Sequence, residues 1–179
     1  MARLGLRQDQ GRAAESRVTA MFSDPLTAKL AAFVRSVDID VHATELAEPT
    51  FLPGLDIRCG AVLVDAARLR YPGDILHEAG HIAVSHPEQR HQPRLTPDGG
   101  DEMASLAWSY AAACHLDVEA SIVFHPDGYK GESSALVANF SEGHYIGVPL
   151  LQLYGMTVEP RLAAARGVEP YPNMLRWLR

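Results

Sequence analysis

Between Tyr71 and Val84 the chain reads YPGDILHEAGHIAV, with two histidines, His77 and His81, four positions apart and Glu78 directly after the first. On a helix, residues four apart share one face, so the two imidazoles can converge on one ion. Neutral imidazole nitrogens bind zinc at about 2.0–2.1 Å. Glu78 projects roughly 100° round the helix from His77, near enough to address a water at the metal without being a ligand. A carboxylate so placed can accept a proton from that water and later pass it to a leaving amine. The flanking residues Ile75, Leu76, Ala79, Ile82, Ala83 and Val84 are apolar nearly all round, so the helix is expected to be buried. Buried polar groups without partners cost roughly 2–7 kcal/mol in a dry interior, and a metal would supply the partners. The plainer alternative is a core helix whose histidines are satisfied by neighbouring backbone and side chains. Gly80 in mid-helix costs about 1 kcal/mol relative to alanine, which a closely approaching backbone would explain.

The elements that must position these residues are legible in outline. SDPLTAKLAAFVRSV reads as a helix, with Ser23 or Asp24 as the cap, Pro25 in the first turn, and Leu26, Leu30, Phe33 and Val37 at helical spacing. IDVH reads as a short strand. After the break EPTFLPG, the segment LDIRCGAVLVDAARL reads as a hairpin or two short strands around Cys59-Gly60. YPG closes that unit, and a helix is expected from about Asp74. The proline-rich stretch from His86 to Gly100 reads as a loop, and a second strong helix is expected from about Asp101 through EMASLAWSYAAACHL. HPDGYKG reads as a turn, and ESSALVANF, GVPLLQLYG and EPRLAAARG as short helices.

HEAGH in an apolar helix resembles the HExxH motif of the zincin metallopeptidases. The resemblance implies His77 and His81 as zinc ligands and Glu78 as general base. A catalytic zinc takes three protein ligands and keeps one open position. The extended form HExxHxxGxxH requires glycine at 84 and histidine at 87, where this chain has Val84 and Pro87, with His86 one place off. The cysteine source used by peptide deformylases is not matched by Cys59 in DIRCGAV. The class that takes a glutamate from the following helix points to Glu102, with Asp101 and Glu119 as alternatives. Twenty residues separate His81 from Glu102, enough for the chain to reverse, and Ser105, Ser109 and Ala113 share the face of Glu102. Glu102 also has an ordinary reading, as an acid favoured at a helix N-terminus. From Asp38 to Leu116 the order of elements is similar to that of ImmA/IrrE-type metallopeptidases, and Leu106 stands where thermolysin-like enzymes carry an aspartate.

Peptide hydrolysis at a metal develops negative charge on the carbonyl oxygen, and a histidine or tyrosine donor opposite the metal helps to stabilise it. His125 and Tyr129 in FHPDGYKGE, and His144 and Tyr145 in SEGHYIG, are the candidates. The formal net charge of −6 argues against a basic nucleic-acid-binding stripe. Two cysteines, Cys59 and Cys114, make no disulfide framework and are expected as reduced thiols. The Arg-rich residues 1–20 lack the apolar core of a signal peptide and are expected as a flexible or weakly helical tail. No run is long enough to span a bilayer.

The expected fold is therefore a small single-domain α+β zincin-like domain over residues 21–179, with a few short strands packed on the HEAGH helix and a mostly helical C-terminal half. The expected function is cytoplasmic, zinc-dependent hydrolysis of a peptide or protein substrate, with neither nucleic acid nor membrane as partner. The alternatives are a zincin-like regulatory module that cuts little, and a zinc hydrolase of a non-peptide amide.

Overall fold

The computed structural model describes residues 21–179; the tail expected over residues 1–20 lies outside the described residues. Helix α1 (Pro25–Ser36) starts where the chain supplies a cap: the Asp24 carboxylate accepts from Thr27 N at 2.7 Å and from Thr27 Oγ1 at 2.6 Å, with Pro25 in the first turn. It buries Leu30, Ala31, Phe33 and Val34. Three four-residue strands follow, β1 (Asp40–Ala43), β2 (Leu55–Arg58) and β3 (Ala61–Val64). Strands β2 and β3 form an antiparallel hairpin whose two loop residues, Cys59 and Gly60, are both left-handed, with φ of 51° and 79°. That is the backbone a two-residue hairpin loop demands. Strand β1 pairs in parallel with β3 from Asp40↔Ala61 to Ala43↔Val64, giving the order β1-β3-β2 and leaving β2 at the sheet edge.

Helix α2 (Asp74–Val84) lies under this sheet, with Ile75, Leu76, Ala79, Ile82, Ala83 and Val84 all inaccessible. Helix α3 (Gly99–His115) begins two residues before the expected start, because Asp98 and Asp101 form a reciprocal capping box. Asp98 Oδ1 accepts from Gly100 N at 2.8 Å and Asp101 N at 2.9 Å. Four shorter helices complete the described residues: α4 (Ala120–Val123), α5 (Ser133–Ser141), α6 (Val148–Leu153) and α7 (Pro160–Arg166). This is a small α+β domain of seven helices and one three-stranded sheet among the described residues. None of these helices is long and apolar enough to cross a membrane. Cys59 and Cys114 are both free and exposed.

Helices α2 and α3 pack face to face. A Cβ on Gly80 would lie 3.0 Å from the Ser105 carbonyl oxygen and 3.2 Å from both Ser105 Cβ and Ser109 Oγ. Ser109 Oγ donates to the Ser105 carbonyl at 2.7 Å and lies 3.2 Å from the Leu76 carbonyl on α2. The small residues on both helices are what permit this approach, and it sets the distance between the histidines of α2 and the acids of α3.

Candidate metal centre

His77 and His81 stand one turn apart on α2 and are nearly buried. Their Nε2 atoms are 3.2 Å from each other. Glu102, in the first turn of α3, brings Oε1 to 3.6 Å from His77 Nε2 and Oε2 to 3.3 Å from His81 Nε2. Tetrahedral ligands on arms of about 2.0–2.1 Å are spaced about 3.3–3.4 Å apart. The three observed separations bracket that edge, and the His77–Glu102 distance of 3.6 Å is too long for a hydrogen bond. The Nδ1 atoms of His77 and His81 are buried with no hydrogen-bond partner. Each ring thus turns one nitrogen toward the shared centre and leaves the other orphaned. One proton between Nε2 atoms cannot satisfy three converging acceptors, whereas one cation can. The chemistry of the donor set, two imidazoles and a carboxylate, suits zinc or another borderline divalent ion. Among the described residues this His77–His81–Glu102 group could hold a metal ion.

The alternatives for the third position are otherwise engaged. The Asp101 carboxylate closes the capping box by accepting from Asp98 N at 3.3 Å, and Glu119 is exposed at the start of α4.

Burial, together with the nearby charge of His81, lowers His77 to about 4, so its imidazole is neutral at physiological pH. Burial raises Glu78 to about 7. Glu102 is held below its usual range, chiefly by its hydrogen bond with His81. Glu78 and His81 line the floor of a cleft of about 440 Å³. Its walls are the loop from Leu46 to Leu52, the edge strand β2, and Arg94, Leu95 and Pro97.

The four candidate donors fall in different places. Tyr129 sets its ring edge-on to His77, with centroids 5.6 Å apart and planes at 86°. Its hydroxyl is buried with no hydrogen-bond partner, and burial raises its pKa. Tyr129 and Lys130 are both left-handed, each with φ of 54°, a costly backbone for side chains of this size. His125 lies one ring further out, 6.3 Å from Tyr129. Its Nε2 meets Asp74 Oδ1 at 3.1 Å, and its ring stacks on Tyr71 at 3.6 Å. Burial raises the Asp74 carboxyl, while His125 pulls it the other way. His144 is exposed, 3.7 Å from Glu142. Tyr145 packs on Phe140 and Tyr171, in an aromatic cluster away from the two histidines.

Sequence reasoning did not find Asp74 as a partner for His125. Its position three residues before His77 was the available signal, masked by its reading as a helix start. It placed Ser109 on the face of α3 that meets α2, but not the hydroxyl's approach to the Leu76 carbonyl across the two helices. No protein-family model, curated protein or solved structure matches the chain.

Proposed function

We propose that the chain is a zinc-dependent peptidase of the cytoplasm, resembling the ImmA/IrrE-type zincins. One observation carries the reading: two imidazole nitrogens and a carboxylate converge at the spacing of tetrahedral ligands, and one of them, His81, lines an open cleft together with Glu78. His77, His81 and Glu102 would hold the ion. A zinc held there supplies Lewis acidity and lowers the pKa of a water in its open position.

The remaining roles belong to the chain. Glu78, shielded from bulk solvent at the cleft floor, accepts the proton of the attacking water and returns it to the departing amine. Tyr129 donates from its unpartnered hydroxyl to the oxygen on which negative charge develops. His125, held by Asp74 and Tyr71, packs behind Tyr129.

A peptide rather than a compact amide is favoured by the shape of the cleft. Strand β2 is an edge strand and forms one wall of it, so an extended chain can lie along that edge. The Ile57 N–H is already taken by Asp56 Oδ1 at 3.0 Å and would have to be released.

The test is Glu78→Gln. The amide is isosteric but cannot accept the proton, so the variant should keep its fold and one zinc per chain and lose cleavage of a mixed peptide library that the wild type cuts. An unchanged turnover rate removes Glu78 from the mechanism, and a zinc-loaded wild type that cuts nothing in the library overturns the peptidase reading.

A further inference from the structure

His81 lies in the last turn of α2, which ends at Val84. The last four carbonyls of a helix have no partner within it, and an uncapped end frays. A ligand on such a turn would be poorly held. Here every carbonyl from His81 to Ser85 is satisfied from elsewhere. The His81 carbonyl accepts from Ser85 Oγ at 2.6 Å, and the Ile82 carbonyl from Arg90 Nε at 3.2 Å. The Ala83 carbonyl accepts from Arg179 N at 3.0 Å, and the Val84 carbonyl from Arg179 Nη1 at 3.3 Å. Arg90 Nη2 reaches the Ser85 carbonyl at 3.4 Å and the Arg179 carbonyl at 3.0 Å, so the two arginines are tied to each other as well.

The segment that delivers Arg179 is anchored in the core. The Trp177 carbonyl accepts from Trp108 Nε1 at 2.9 Å. The Trp177 ring is edge-on to Phe33 at 4.9 Å and to Trp108 at 5.4 Å. The Arg179 guanidinium lies 3.7 Å over the Tyr154 ring. Ile82, Ala83 and Val84 are inaccessible, so bulk water does not replace these caps. Two cations at the C-terminal end of α2 also suit its dipole.

We propose that Arg90 and the Trp177–Arg179 segment are positioning elements of the metal centre: they hold His81 at ligand distance by capping α2, and docking of the segment is linked to metal binding. The inference rests on the metal reading of His77, His81 and Glu102. Its physical basis is tolerance. Zinc–ligand distances hold within about 0.2 Å, and a fraying turn moves its side chains by more than that. Linkage is reciprocal, so whatever the clamp contributes to metal affinity, the metal contributes to clamp docking.

The chain supplies its own reporter. It has only two tryptophans, Trp108 and Trp177, and both belong to this anchor. The experiment compares the full chain with Arg90→Ala, Arg90→Lys and Arg68→Ala. Arg68 binds the Leu46 carbonyl at 2.7 Å and has no part in α2, so its loss perturbs stability elsewhere. Zinc affinity is measured by competition with a chromophoric chelator, site geometry by the visible absorption of the cobalt-substituted protein, and docking by acrylamide quenching with and without chelator. Arg90→Ala should bind zinc roughly tenfold more weakly with a weakened cobalt spectrum. Arg90→Lys, with the charge and one donor restored, should recover part of the loss, and Arg68→Ala should bind as the wild type does. Removing the metal from the wild type should increase quenching.

Wild-type zinc affinity in Arg90→Ala, even with lowered thermal stability, overturns the proposal, as does quenching indifferent to metal. If Arg90→Ala does not fold, Arg179→Ala decides. It keeps the backbone cap on Ala83, loses that on Val84, and should weaken zinc binding by a smaller factor; no weakening refutes the inference. A wild type that binds no zinc overturns the metal reading and this inference together, whereas a zinc-binding wild type matched by the arginine variants overturns this inference alone.

Discussion

Replacing Gly80 by alanine tests the contact on which the metal centre depends. In an isolated helix the change gains about 1 kcal/mol. Here the new Cβ would sit 3.0 Å from the Ser105 carbonyl oxygen and 3.2 Å from Ser105 Cβ and Ser109 Oγ. Relaxed contacts between such atoms fall at about 3.5–4.0 Å, so α2 and α3 must separate by a few tenths of an ångström. The obstacle includes backbone, which cannot rotate away as a flexible side chain would. Overpacking of this kind costs about 1–3 kcal/mol, more than the propensity gain. The metal-free protein should therefore lose about 1 kcal/mol in urea unfolding. Zinc binding should suffer separately, because the displacement opens the His77–Glu102 and His81–Glu102 separations of 3.6 and 3.3 Å. A cost near 1.4 kcal/mol there is tenfold in affinity. An alanine variant stabilised by the full helix-propensity gain, with wild-type zinc affinity, would refute the close packing of α2 on α3.

His77→Ala and His81→Ala should each abolish stoichiometric zinc in elemental analysis, and full retention in both would remove the site. Glu102→Ala should weaken zinc binding substantially, while Asp101→Ala should cost about 1 kcal/mol of stability through the lost capping box and leave zinc affinity unchanged; the reverse pattern in a chelator competition would exchange their roles. Tyr129→Phe should leave stability unchanged or slightly raised, since the hydroxyl it removes is buried and unpartnered. In the same variant, kcat for a cleaved peptide should fall by about 10²–10³ with zinc retained; an unaltered kcat would take Tyr129 out of the reaction.

What was legible in the sequence was mostly local. Asp24 and Pro25 mark the start of α1, Cys59-Gly60 marks the hairpin, and the unbroken apolar flanks of HEAGH mark a buried helix. Each signal lies within a few residues of its consequence. The close approach at Gly80 was also legible, because a glycine in mid-helix costs stability unless something needs the space. The start of α3 was placed too late because Gly99 and Gly100 read as loop, while the capping box that overrides them depends on side-chain geometry. The parallel pairing of β1 with β3 was not legible at all. It joins strands separated by the whole hairpin arm β2, and nothing in four-residue strands specifies a partner at that distance. The partition among His125, Tyr129, His144 and Tyr145 was equally hidden. All four sit in loop-like sequence with similar chemistry, and only the packing of Phe140 and Tyr171 draws Tyr145 away.

The buried polar side chains show why the site was easier to read than the fold around it. Apart from Thr27, Asp65 and Thr157, the buried polar side chains among the described residues gather in one region: Asp74, His77 and His81 lie on α2, Ser105 and Ser109 on the facing helix, and His125 and Ser133 in the segment that follows. A domain of this size gains little in stability from burying such groups, because desolvation offsets most of what their hydrogen bonds contribute. Their concentration around one helix is a local violation of the rules that the rest of the core obeys, with Leu30, Val34, Val62 and Ile75 filling it conventionally. Such violations persist where function needs them. Three of them remain unresolved within the chain itself, the orphaned Nδ1 atoms of His77, His81 and His125, since no protein acceptor is in reach. The Nε2 atoms of His77 and His81 converge with Glu102, so the polarity that weakens the core is the polarity that a bound cation would use.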